Sequence, residues 1–266
     1  MSQIILNIVD RAIRRLRNRE ARLVKAIANN NVINADKLLQ RGADANAKIT
    51  DKSGVPIIFL IFEKKYFTLP QGKLGDRSHR SYRITAKRSC LQLLLEHGAK
   101  TDVNNEQGQT PLEIAILWCM PDIVKLLLLY GADPNVSDRH GITPLMKTAI
   151  LGIRDARPTR DKLQIIMHLL DSGAKVDAQT PEGKTALMYA TGNSRIEIVE
   201  LLVSSGASLS VCDRQGNKAC DIIGKSVTPE QKSYLQKILT QPQLNVLRYK
   251  YQEFIPEGDR LLNSIL

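Results

Sequence analysis

The sequence predicts an all-α repeat solenoid, in which helix-turn-helix units stack side by side and β-hairpin loops join one unit to the next. Two glycine series carry this prediction. The dipeptide Gly-Ala recurs at Gly42, Gly98, Gly131, Gly173 and Gly206, with gaps of 56, 33, 42 and 33 residues. A second series at Gly54, Gly108, Gly141, Gly183 and Gly216 has gaps of 54, 33, 42 and 33. Two independent markers therefore share one period and stretch at the same two places, which is the signature of a repeat array. The third observation is composition. Apolar residues make up 43% of the 266 and run along the whole chain, while aromatics are only 5%, so the core must rest on Leu, Ile, Val and Ala, which suit helices.

Each element of the unit has a local reason. Thr110 and Thr143 stand where a helix N-cap is needed, and the proline that follows each suits the first helical turn. The glycine of each Gly-Ala pair supplies the left-handed backbone that ends the second helix. Segments such as "GADPNVSDRHG" (131–141) are rich in turn formers and read as hairpins. Ala115, Ala149 and Ala190 let neighbouring helices approach closely. "TPEQ" at 228–231 offers Thr228 as N-cap, Pro229 in the first turn and Gln231 to complete a capping box.

Aligned on these marks, "NEQGQTPLEIAILWCMPDIVKLLLLYGADPNV", "DRHGITPLMKTAILG" and "TPEGKTALMYATGNSRIEIVELLVSSGASLSV" resemble ankyrin repeats. That family is marked by Thr-Pro-Leu-His-x-Ala followed by a helix ending in Leu-Leu-x-x-Gly-Ala. The resemblance covers residues 19–241 in six units: 19–48, 51–103, 105–136, 138–178, 180–211 and 213–241. Residues 1–18 read as a basic amphipathic helix covering the end of the stack. Residues 242–266 read as a tail that caps the last unit or binds a partner, equally suited to helix or strand. The chain departs from the family pattern in two ways. Glu113, Met146, Met188 and Asp221 replace the histidine, and Ile61 and Phe62 in unit two replace small residues.

The stretched gaps locate two insertions, near 64–88 and 153–162, both between the first and second helices of their units and expected on one edge of the stack. The first insertion holds Lys64, Lys65, Lys73, Arg77, Arg80, Arg83, Lys87 and Arg88 against the single acid Asp76, with Tyr66, Phe67 and Tyr82 interleaved. Charge is correspondingly lopsided. Residues 1–100 carry 20 Lys and Arg against 8 Asp and Glu, whereas residues 101–266 carry 18 against 19. A basic N-terminal third suits an acidic protein partner, and basic residues among aromatics also suit nucleic acid or an anionic surface.

Function is expected at the surface. The four cysteines lack C-x-x-C spacing and the four histidines lack metal-ligand spacing, so no metal, cofactor or catalytic group is expected. No transmembrane run is present, and a cytoplasmic, monomeric, non-enzymatic interaction protein is the expectation. The resemblance implies partner binding on the concave side, by hairpin tips and first helices. The candidates there are Gln107, Gln109, Trp118, Arg139, His140, Lys147, Lys184 and Tyr189, with Arg77, Arg80, Arg83, Lys87 and Arg88 from the insertion. Trp118, the one tryptophan, reads either as an anchor or as a packing residue. "ACDIIGKS" (219–226) fits the loosest P-loop pattern. The residues before it read as a hairpin and not as a strand, so Gly224 and Lys225 fall at a helix C-terminus, where the dipole repels phosphate.

Overall fold

Threonine-capped short helices followed by slightly longer ones are the recurring element of the structure. The computed structural model describes residues 19–48, 54–62, 88–151, 159–224 and 227–240. Helix α1 covers residues 19–28, α2 is Val32–Gln40, α3 covers residues 88–96, and α4 and α5 are Pro111–Leu117 and Pro121–Leu129. Helices α6 and α7 are Pro144–Ile150 and Thr159–Asp171. Helices α8 and α9 are Ala186–Gly192 and Ile196–Ser204, and α10 is Pro229–Thr240. Two short 3-10 turns, Ile57–Phe62 and Ala219–Ile222, stand where first helices of units two and six were expected. No strand is present among the described residues, so the architecture is all-α. The expected hairpins are tight turns closed by pairs of backbone bonds, and among the described residues the only isolated bridge joins Lys48 to Pro56.

The caps work as the sequence implies. The Oγ1 atoms of Thr110, Thr143 and Thr185 accept the N–H of Glu113, Met146 and Met188 at 3.2, 3.3 and 3.3 Å. Glu113 returns the bond by accepting the Thr110 N–H at 3.0 Å. The residue that replaces the family's histidine thus completes a capping box. Thr228 and Gln231 form the expected box at the start of α10, at 3.3 and 3.0 Å.

All five Gly-Ala pairs close their helices by one geometry. Gly131 N–H donates to Leu128 O at 3.0 Å and Ala132 N–H to Leu127 O at 3.0 Å, and the pairs at 42, 98, 173 and 206 repeat this pattern. The glycine φ angles are 81, 81, 84, 87 and 88°. This is the Schellman motif, which satisfies two carbonyls left open at the helix end. A second left-handed position joins first to second helix: Asn30, Cys119 and Ser194, at φ 52, 52 and 57°.

The chain divides into two compact units, Met1–Trp118 with Asp122–Asp133, and Cys119–Pro121 with Pro134–Leu266. In the first, α4 packs on the Ile57–Phe62 turn. All six residues of that turn are buried, because Ile, Phe and Leu occupy every side of it and none can face water cheaply. In the second, α6 packs on α8 and α8 on the Ala219–Ile222 turn, while α7 packs on α9 and α9 on α10. Within this second unit the first helices thus form one layer and the second helices another. Ala149 and Ala190 are completely buried at the short-helix level, where a larger side chain would hold the backbones apart.

Neighbouring repeats are also tied by a recurring side-chain bridge. Asn135 Nδ2 donates to Gly173 O at 3.0 Å while its Oδ1 accepts Lys175 N–H at 2.8 Å. Asn46 makes the same pair of bonds to Gly98 and Lys100 at 2.9 and 2.8 Å. Asp177, with no amide to donate, keeps only the accepting half, from Ser208 N–H at 2.9 Å.

The second insertion is partly regular. Helix α7 has 13 residues against 9 in α5 and α9, and the three helices end at equivalent positions. Residues 159–162, placed in the insertion by spacing, are therefore one added turn at the N-terminus of α7. Residues 152–158, most of 64–88, 1–18 and 241–266 lie outside the described residues, and with them the expected shared edge for the two insertions.

The bridge gives a direct test. Asn135→Ala is expected to destabilise the chain by about 1 kcal/mol in denaturant unfolding, and Asn135→Asp by less, because the acceptor survives. Equal stability of all three proteins contradicts the bridge.

Candidate partner-binding surface

Four turns of one design precede the short helices. In each, a first residue exchanges backbone bonds around a glycine: Asn105 N–H to Gln109 O, Asp138 N–H to Ile142 O, Thr180 N–H to Lys184 O and Asp213 N–H to Asn217 O, at 3.0, 3.1, 3.0 and 2.9 Å. In three of them the first residue's Oδ1 fills the turn. Asn105 accepts from Gln107 and Gln109 at 3.0 and 2.8 Å, Asp138 from His140 and Ile142 at 2.9 and 3.1 Å, and Asp213 from Gln215 and Asn217, both at 2.9 Å. These fillers were not singled out from the sequence. The signal was present, since 105, 138, 180 and 213 keep the gaps of 33, 42 and 33 and Asn or Asp at such a position forms an Asx turn.

Within the second compact unit the turns stack tightly. Arg214 N–H donates to Glu182 O at 2.9 Å, and Gln179 Nε2 donates to Gly183 O and Cys212 O at 3.0 and 3.3 Å. A side-chain carbon on Gly141 would lie 2.5 Å from Pro181 Cδ. The turn tips are therefore fixed relative to one another, which favours binding without a large ordering cost.

This stack brings together Arg139, His140, Lys147, Lys184 and Tyr189 of the predicted set. Lys147 lies half-buried and pairs with Asp138 at 3.2 Å. Burial pushes the Asp138 carboxyl up, but the amides of His140 and Ile142 and the Lys147 ammonium together outweigh it and hold the group low. Arg139 Nε donates to His140 Nε2 at 3.2 Å, both side chains being exposed. Tyr189 is half-buried, and desolvation pushes its phenol up against the opposing effect of the Thr180 hydroxyl, with Glu182 and Asp138 nearby. Lys184 acts on both Glu182 and Asp213.

The remaining candidates lie elsewhere. Gln107 and Gln109 sit on the turn of the first compact unit, where both accept from Asn105 Nδ2, at 2.8 and 3.2 Å. Trp118 is the C-cap of α4, half-buried at the junction with α5. That junction is at the opposite end of α4 from the turn tips, so Trp118 is no part of the turn surface. Arg88 is exposed in the first turn of α3. Arg77, Arg80, Arg83 and Lys87 fall outside the described residues.

Among the described residues no three His, Cys, Asp or Glu side chains are placed to hold a metal ion. Burial pushes the Cys90 thiol up to about 11, which leaves it a poor nucleophile. In the P-loop-like stretch, Ala219–Ile222 is a 3-10 turn with Ala219 buried, and Lys225 and Ser226 lie outside the described residues. Gly224 has a packing role: a side-chain carbon there would meet Gly192 O and Ser194 Oγ at 2.5 Å each. No helix among the described residues is long and apolar enough to cross a membrane.

Short and long helices in two layers, joined by stacked turns, define a repeat protein of the kind that acts through its surface. Residues 82–138 and 120–213, together about half of the chain, match the family model described as ankyrin repeats in three copies. The chain is an ankyrin-repeat protein. Repeats of this family generally mediate protein–protein interaction and are typically non-enzymatic.

Two measurements check this geometry. Gly224→Ala is expected to cost about 1–3 kcal/mol of stability through overpacking, with no effect attributable to nucleotide. Saturable ATP binding that Lys225→Ala abolishes would contradict it. The second concerns acid. Asp213 is held low, with the Asn217 amide as the largest cause, so its contribution is present above the unfolded carboxyl pKa of about 3.9 and is lost as pH falls through the lower folded value. Asp213→Asn, which copies Asn105 in the equivalent turn, is expected to flatten the acid limb of a stability–pH profile below about pH 4. An unchanged acid limb counts against the turn's role.

Proposed function

We propose that the chain is a scaffold or adaptor of six ankyrin-like units that binds a protein partner through the turn tips and first helices. Its basic N-terminal third selects a partner with an acidic patch. Arg139, His140, Lys147, Lys184 and Tyr189 supply contacts from one compact unit, and Gln107 and Gln109 supply contacts from the other. The observation that carries the reading is the stack of turns with exposed polar side chains on a fixed backbone. Rigid tips with variable side chains suit selective recognition. The basic edge, +12 over residues 1–100 by the counts above, steers an acidic partner toward this surface in a salt-dependent way. We assign the protein to the cytoplasm and to a monomeric state on the same reading. Binding of RNA or of an anionic surface by the basic third is the competing reading, favoured by Tyr66, Phe67 and Tyr82 among its cations.

Neutralising Arg77, Arg80, Arg83, Lys87 and Arg88 together separates the two. In pull-downs with and without nuclease, loss of a nuclease-resistant protein partner is expected. Loss of bound RNA alone supports the competing reading, and no change in either removes the basic segment from the mechanism.

A further inference from the structure

The residue eleven places before each Gly-Ala glycine is Asn31, Lys87, Met120, Lys162 or Arg195. Adjacent repeats therefore both carry a cation at this position only at Lys162 and Arg195, which are 33 residues apart. Both belong to the second compact unit, where α7 packs on α9. The two helices match residue for residue, since buried Ile165, Ile166 and Leu169 correspond to buried Ile198, Val199 and Leu202. Packed helices lie about 8–10 Å apart, so the two positions are neighbours on the edge away from the turn tips.

Neither cation has a partner among the described residues. Lys162 is only 4% exposed, yet no hydrogen bond or ion pair reaches it. Arg195 is half-buried, and its Nε is shut off from solvent and bonds to nothing. The first-turn acids of the same helices, Asp161 and Glu197, pair with neither. A cation withdrawn from water without an anion costs stability, and here two share one edge. The start of α9 adds further donors. Asn31 and Thr228 cap α2 and α10 with a side-chain oxygen, whereas Arg195 caps α9 with none, so the first amides of α9 receive no acceptor from their cap.

We propose that Lys162, Arg195 and the first turn of α9 form a binding site for a phosphate group. The guanidinium presents a planar fork, the ammonium a point charge, and the amides the positive end of a helix dipole. These three donor sets suit the oxygens of one tetrahedral dianion. A carboxylate, with a single charge, would leave one of the two cations unneutralised. The group comes from a free phosphate or from a phosphorylated residue of a partner. The site lies away from the turn tips and holds whether or not those tips bind a partner.

Urea unfolding of the full chain in inorganic phosphate, against chloride at equal ionic strength, tests this together with calorimetric titration of phosphate. Phosphate is expected to raise the unfolding midpoint of the unaltered chain saturably. Lys162→Met with Arg195→Met copies Met120 at both positions. This double variant is expected to unfold at a higher midpoint in chloride, because the unpaired cations are gone, and to lose the gain from phosphate. Each single substitution weakens phosphate binding about tenfold, Lys162→Arg retains most of it, and Arg214→Gln on the turn face leaves it unchanged. An equal phosphate gain in the unaltered and doubly substituted chains is general salt exclusion and overturns the proposal, as does a titration without saturable heat. If the double variant does not fold, the single variants decide, and unchanged affinity in both overturns the site. A phosphothreonine peptide that competes with phosphate, where its unphosphorylated form does not, assigns the group to a protein partner. Phosphate binding without such competition assigns it to a free small phosphate.

Discussion

A helix of seven or nine residues does not persist in water, since its nucleation cost exceeds what two turns of hydrogen bonds return. Everything else in this chain follows from that constraint. Each short helix must bury its apolar residues against its neighbours, and Ala149 and Ala190 are completely buried while Leu112, Leu145 and Leu187 are nearly so. Each helix must also end without orphaned carbonyls or amides. Threonine caps at one end and Schellman glycines at the other meet this need within a few residues, which leaves room for a turn in every 33.

The end closures made the fold legible. Glycine at a left-handed position has few substitutes, so the two glycine series held their spacing while the residues between them varied. The caps at Thr110, Thr143 and Thr228 were readable for the same reason. What spacing could not show was how far each helix would extend. Ile57–Phe62 matches the first-helix position, but six consecutive bulky residues leave no small face to lay against a neighbour, and the segment tightens into a 3-10 turn. The added turn of α7 was counted with the loop because the insertion length, not its helicity, is what a gap records.

The candidate surface was less legible. The turn tips follow the glycine spacing, yet the residues that organise them, Asn105, Asp138 and Asp213, do not stand out in the sequence, because Asn and Asp are common in any loop. Trp118, read from the sequence as an anchor or a packing residue of the first-helix and turn surface, is the half-buried C-cap of α4, at the far end of that helix from the tips. The P-loop-like stretch shows the opposite lesson. Its glycine matches a phosphate-binding pattern by type, and packing against Gly192 and Ser194 accounts for it. Residue identity names a possible chemistry, and the element that carries the residue decides whether that chemistry has a place to act.

The stacked turns give a rigid frame whose backbone groups are already satisfied, so recognition falls to side chains that project beyond it. Hydrogen exchange of the full chain, alone and bound to a protein it captures, tests this most directly. The account predicts that added protection concentrates in 138–142, 180–184 and 213–217 and in the short helices that follow them. Protection confined to the long helices α5, α7 and α9, with the turns unchanged, would contradict it.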